Sequence, residues 1–287
     1  MGIMGSVLAQ SRLRGFFLIV FSLFASACTS SSILDPTPYQ PPTARYAAIV
    51  VSANSGKVLH DTRADARRFP ASLTKMMTLY MLFDAIDKRK ISKTGQISIS
   101  ARAAAQPASK LWLKAGTSIS VNTAIQALAV KSANDVAYAV AERLGGSEAR
   151  FAAMMTKKAR ALGMTPTTFK NASGLPNRAQ VTTARDMAKL GIALKKRFPH
   201  HFHYFGRSSM IFRGKKIRGH NRVLTQLRGA NGIKTGYTRA SGFNLVTSVS
   251  RNGKTVVGVI LGENSGRQRD QHMVKLMRAY MPKGGIH

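Results

Sequence analysis

The segment Leu73–Ile86 reads LTKMMTLYMLFDAI and is apolar on almost every side, a pattern that only a helix buried all round satisfies. At its entrance, in Pro70-Ala71-Ser72-Leu73-Thr74-Lys75, stand a serine and, one turn inside, a lysine. An unpaired ammonium in such a place is costly. Residues three apart on a helix share a face, so the Ser72 hydroxyl and the Lys75 amine can share a proton. A lysine in poorly hydrated surroundings, beside other positive charge, has its pKa pushed down and can act as a base toward the serine. The helix N-terminus favours negative charge at Ser72, whose own N–H lacks an intrahelical partner and is half of an oxyanion hole. Alone, Ser-x-x-Lys reads equally well as an N-cap serine with a snorkelling lysine, so companions are needed.

The chain's 287 residues, 44% of them hydrophobic, are enough to bury a substantial core. Lys and Arg number 44 against 11 acids, a formal charge of +33 that points to an anionic polymer or surface as partner. Nucleic acid is not the expected partner, since the chain shows no zinc-finger spacing, aromatic-rich strand signature or basic heptad helix. The basic residues are scattered, and the clusters at Lys88–Lys90, Lys195–Arg197 and Arg213–Arg222 read as solvated faces.

Arg12 and Arg14 precede the apolar run Gly15–Ala25 and the small residues Ala25-Ser26-Ala27, which reads as a signal peptide over residues 1–27 and an exported protein. Its removal takes away two arginines and no acids, leaving +31 of the +33. Cys28, the single cysteine, follows at once; plain cleavage after Ala27 and lipidation of Cys28 both fit, and an internal disulfide is impossible. Residues 28–43, rich in Ser, Thr and Pro, have the composition of a tether.

A folded domain over residues 44–287 begins with a hairpin, Arg45–Ala53 and Lys57–Asp61 across Asn54-Ser55-Gly56. A helical subdomain, about residues 67–198, follows; its helices include Val121–Val130, Asp135–Leu144 closed by Gly145-Gly146, Glu148–Leu162 closed by Gly163, and Ala184–Phe198. Phe151, Met154, Met155 and Leu162 recur at helical spacing and read as core. Strands around Gly214, at Gly232–Gly236, at Phe243–Ser250 and at Thr255–Leu261, with a closing helix near Arg267–Met281, complete an α+β chain. The expected architecture is an antiparallel sheet covered on one face by the last helix, with the helical block inserted between the first hairpin and the remaining strands.

Two companions to Ser72-x-x-Lys75 occur in chain order: Ser132-Ala133-Asn134 between two helices and Lys234-Thr235-Gly236 on a strand. This trio resembles the serine β-lactamases and penicillin-binding proteins. The resemblance runs from Tyr46 to about Met281, and Asn171–Pro176, Thr182–Leu190 and Gly232–Thr238 bring it nearest to the low-molecular-mass D-alanyl-D-alanine carboxypeptidases, the peptidase S11 group. It implies a β-lactamase/transpeptidase-like fold and a carboxypeptidase acting on peptidoglycan stem peptides, with β-lactams as covalent inhibitors and no cofactor. An endopeptidase using the same residues, or a non-catalytic wall-binding or β-lactam-sensing module, are the alternatives.

By resemblance Ser72 attacks the carbonyl of the penultimate D-alanine, Lys75 takes its proton and Ser132 relays it to the leaving amine. Asn134 binds both Lys75 and the substrate amide; its structural alternative is a cap for the following helix. Lys234 and Thr235 meet the terminal carboxylate, Gly236 leaves room for substrate, and the Tyr237 N–H is the second oxyanion donor. Arg239 reads as a surface residue. A class A β-lactamase also needs a deacylating glutamate, and between Asn134 and Lys234 only Glu142 and Glu148 occur, both beside the preceding motif, so fast β-lactam hydrolysis is not expected. His200, His201 and His203 read as surface residues, with no His-Glu-x-x-His helix and no metal required. Many relatives add a β-rich domain and an amphipathic membrane helix; with both missing, membrane contact is expected only through an N-terminal lipid.

Overall fold

The structure, a computed structural model, describes residues 44–281. The proposed signal segment, the tether and Cys28 lie outside them. Strands β1 (Ala47–Ser52) and β2 (Val58–Thr62) form the first hairpin, with a bulge between Val50 and Val51. A 3-10 turn, Ala71–Leu73, leads into α1 (Thr74–Asp87). Next come β3 (Gln96–Ser98), α2 (Ala101–Ala104), β4 (Ser118–Ser120), α3 (Val121–Gln126) running into a π-turn at Ala127–Lys131, and α4 (Asn134–Gly145). After α5 (Glu148–Ala161) and α6 (Ala184–Arg197) come β5 (Ser209–Phe212), β6 (Lys215–Arg218) and α7 (Val223–Gln226). The chain closes with β7 (Ala230–Thr238), β8 (Gly242–Arg251), β9 (Lys254–Glu263) and α8 (Gly266–Tyr280).

The main sheet is antiparallel, in the order β2-β1-β9-β8-β7, so the first hairpin pairs with the last strands and β7 is left at an edge. Period-two alternation decides which residues face which layer. On β1, Ala48 and Val50 join the cluster of Met273, Leu276 and Met277 from α8, while Ala47, Ile49 and Val51 join the larger core of α1 and α6. Both faces are therefore covered: the last helix lies on one, as expected, and α6 lies on the other against β1, β8 and β9. Gly258 lets α8 approach closely, since a Cβ there would lie 2.6 Å from Met277 Sδ.

Helix α1 is buried nearly all round, with Met76, Met77, Leu79, Leu82 and Phe83 fully inaccessible. The expected helix spans are found to within a few residues, but four details differ. Ser72 sits in the 3-10 turn rather than in the α-helix itself. Met154 is 40% exposed, because it falls on the outer face of α5 while Phe151 and Met155 face inward. The short β3–β4 pair and α2 are too brief to carry a periodic signal. Of the histidines read as surface residues, His201 is 1% exposed, stacked on Phe83.

Candidate active site

Three separate segments deliver the three motifs to one cleft of about 660 Å³. Ser72 comes from the turn before α1, Ser132 and Asn134 from the junction of the π-turn with α4, and Thr235, Gly236 and Tyr237 from the edge strand β7. Lys75 and Lys234 lie beneath the cleft floor, 0% and 2% exposed.

Lys75 is the centre of the arrangement. Its Nζ donates to Asn134 Oδ1 at 2.7 Å, to the Ser173 carbonyl at 2.6 Å and to Ser72 Oγ at 3.3 Å. None of these acceptors is charged. Burial first, and the charge of Lys234 second, hold the Lys75 pKa well below the usual lysine value, with Asp135 acting in the opposite direction. A neutral amine has two protons and one lone pair, so one of the three contacts must reverse. A backbone carbonyl cannot donate, and Asn134 Oδ1 is fixed as an acceptor because its Nδ2 donates to the Pro107 carbonyl at 2.9 Å. The Ser72 hydroxyl alone can turn round and donate to Nζ, the contact a general base requires.

Asn134 is therefore the first residue of α4 and not its cap, which is Ala133. Its N–H donates to the Ser109 carbonyl at 2.7 Å, and buried Asp135 accepts from the N–H groups of Leu111, Leu113 and Val136. These bonds hold the 107–113 segment against the site. Ser132 takes a left-handed conformation, φ 64° and ψ 38°, which costs a non-glycine residue about 1–3 kcal/mol and is characteristic of functional turns. Its Oγ is buried with no hydrogen-bond partner among the described residues.

On the opposite wall Lys234 Nζ donates to the Thr235 carbonyl at 2.9 Å. Burial and the neighbouring Arg269 bring its pKa down to about 7. Gly236 passes so close to the nucleophile turn that a Cβ there would fall 3.0 Å from Ser72 N and 3.1 Å from Leu73 N. Tyr237 is 55% exposed and stacks on Phe243 with ring centroids 4.2 Å apart. Arg239 is exposed and does not line the cleft, as the sequence indicated.

The site also uses residues that sequence reasoning missed. Asn244 is fully buried, donates to the carbonyls of Phe69 and Pro70, and accepts from Gly262 N, so it ties the nucleophile turn to β8. Gly174, at φ +88°, packs on the same turn, where a Cβ would come within 1.8 Å of the Ala71 carbonyl oxygen. Glu148 supports that loop by accepting from Ala172 N at 3.1 Å. Arg222, Arg267 and the ion-paired Arg269 and Asp270 add their charge to the cleft, which His220 also lines, its burial and the charges of Lys234 and Lys131 favouring the neutral imidazole. Only the glycine in Asn-Ala-Ser-Gly-Leu-Pro carried a signal, as a residue suited to positive φ.

The sequence matches the family described as D-alanyl-D-alanine carboxypeptidase, Peptidase_S11, over residues 36–265. It is 31% identical over 237 residues to the D-alanyl-D-alanine carboxypeptidase DacF of Bacillus subtilis, covering 80% of this chain and 60% of that protein. To DacC of Escherichia coli it is 34% identical over 275 residues, covering 93% of this chain and 68% of that one. The crystal structure of DacD from Francisella tularensis superposes with a TM-score of 0.80 at 29% identity, covering 86% of this chain and 72% of that one. The chain spans about three fifths of the length of DacF. Its α+β architecture is thus the penicillin-binding-protein, or transpeptidase-like, fold. With the family match covering most of the sequence and all three motifs meeting in one cleft, the chain belongs to the D-alanyl-D-alanine carboxypeptidase family, peptidase S11.

Proposed function

We propose that this chain is a serine D-alanyl-D-alanine carboxypeptidase that removes the terminal D-alanine from peptidoglycan stem peptides through an acyl-enzyme. The observation that carries the reading is a buried lysine whose three acceptors are all neutral, one of them the Ser72 hydroxyl. Neutral Lys75 takes the Ser72 proton as Oγ attacks the penultimate carbonyl carbon. The oxyanion is held by the N–H groups of Ser72 and Tyr237. Collapse breaks the C–N bond, and Ser132, 6% exposed with its hydroxyl unpartnered, passes the proton from Lys75 to the departing amine. Water then attacks the ester, and Ser72 recovers its proton.

Lys234 and Thr235 hold the substrate's terminal carboxylate, and the second Nδ2 proton of Asn134 binds the amide on the acyl side. A β-lactam mimics the terminal dipeptide and acylates Ser72 in the same way. Glu148, committed to the Ala172 N–H behind the loop, is not placed to activate a deacylating water, which fits a long-lived penicilloyl ester. Residues 1–27 export the chain, residues 28–43 tether it, and Cys28 offers a site for a lipid anchor at the cell envelope. Mass spectrometry of muropeptides before and after incubation tests the activity: pentapeptides should lose one alanine. Splitting of cross-linked dimers with pentapeptides left intact would replace the carboxypeptidase with an endopeptidase.

A further inference from the structure

Asp87, the last residue of α1, receives two imidazoles on one carboxylate oxygen. His200 Nε2 lies 3.0 Å and His201 Nε2 2.9 Å from Asp87 Oδ1. The three atoms lie within 4.8 Å of one another. Adjacent residues in a chain seldom aim their side chains at one point, yet these rings sit with centroids 4.1 Å apart. We propose that Asp87, His200 and His201 form a site for a divalent transition metal of the class imidazole favours, zinc foremost, with the fourth position open to solvent.

Tetrahedral zinc bonded at about 2.0–2.1 Å separates its ligand atoms by about 3.3 Å. The two N–O contacts are within a few tenths of an ångström of that, so a cation can replace the two shared protons with small side-chain movements. The movable partners are the outer ones: the His200 side chain is 57% exposed and that of Asp87 31%, whereas that of His201 is 2% exposed and fixed by stacking on Phe83. Two nearby cations, Lys88 and Arg197, are engaged by Asp84 one turn earlier on α1, while the charge of Lys93 also reaches His201 and opposes a bound cation. The carboxylate end of α1 adds the negative pole of the helix dipole. His201 Nδ1 has no partner among the described residues, so nothing holds the proton on the other nitrogen. Lacking that outer support, which elsewhere is worth about 10–100-fold, the site binds correspondingly more weakly than one with a supported imidazole.

A metal here would staple the far end of the helix that opens at Ser72 to the turn after α6, and it takes no part in the acyl chemistry. The test is calorimetric titration of zinc chloride into the full chain carrying no added histidines, with cobalt(II) absorption as a second reading. One equivalent should bind, the melting temperature should rise, and cobalt should show the intense visible bands of a tetrahedral site. His200→Ala and Asp87→Asn, both at accessible side chains, should each weaken binding by about 10-fold or more, while His203→Ala, a neighbour outside the triad, should not. Penicillin labelling at the parental rate certifies that each variant is folded. Absence of saturable binding to the parent, or parental affinity in His200→Ala and Asp87→Asn, would overturn the proposal.

Discussion

Lys75 meets three acceptors and no anion, and the catalytic proposal turns on that local fact. Its positive form is disfavoured by burial and by Lys234, so the fraction able to take the Ser72 proton grows as pH rises. Lys234 works in the opposite sense: in the proposed mechanism its charge attracts the substrate carboxylate, and that charge is lost above a pKa of about 7. The pH profile of kcat/KM for a carboxylate-bearing peptide should therefore carry a rising limb from Lys75, well below the ordinary lysine range, and a limb that falls above about 7 as Lys234 loses its charge. Bound carboxylate favours charged Lys234, so the falling limb of kcat should lie at higher pH than that of kcat/KM. Lys75→Arg keeps the charge and cannot deprotonate; it should lose acylation by several orders of magnitude, and near-parental acylation would make the lysine purely structural. Lys234→Arg should retain part of the rate, because its role needs only the charge.

At the scale of elements, the nucleophile turn is fixed from three sides. Gly236 of β7 and Gly174 of the 171–176 loop press on its backbone, while Asn244 of β8 holds its carbonyls. Gly174→Ala would set a Cβ on the Ala71 carbonyl and force a residue at φ +88° into a region L side chains avoid. It should lower the melting temperature and slow acylation at least about 10-fold; parental thermal stability and labelling rate would show that the turn does not depend on this packing. This level of detail marks where the sequence stops being readable. Ser72, Lys75, Ser132, Asn134 and Lys234 are visible because side-chain chemistry at fixed spacing is written into the chain. The Ser173 carbonyl that binds Lys75 is not, since every residue has one and the contact joins positions 98 apart. Asn244 and Asp135 are hidden for the same reason: their partners are backbone groups of distant segments, and an asparagine in a strand or an aspartate at a helix start reads as ordinary. The order of the longer strands and helices was legible from periodicity, whereas the covering of the second sheet face by α6 follows from topology that no local pattern encodes.

Across the whole molecule, the acids are spent internally. Of the eleven, all but Asp35 fall among the described residues, and most are committed: Asp61 and Asp65 to Arg185, Asp84 to Lys88 and Arg197, Asp270 to Arg269, Glu263 to His272. The excess of Lys and Arg is left to face solvent, which suits the proposed action on an anionic wall polymer. Added salt screens such attraction beyond a Debye length of about 10 Å at 0.1 M. Activity on whole peptidoglycan should therefore fall with salt more steeply than activity on a short soluble peptide; equal slopes would remove the charge from the mechanism.

The central claim is that Ser72 is a nucleophile activated by a buried neutral lysine, and its most direct measurement is intact-protein mass spectrometry after exposure to benzylpenicillin, with peptide mapping. The account predicts a single adduct of the inhibitor's full mass, placed on Ser72, persistent for many minutes, and absent from Ser72→Ala. An adduct on another residue, or undiminished labelling of Ser72→Ala, would contradict it.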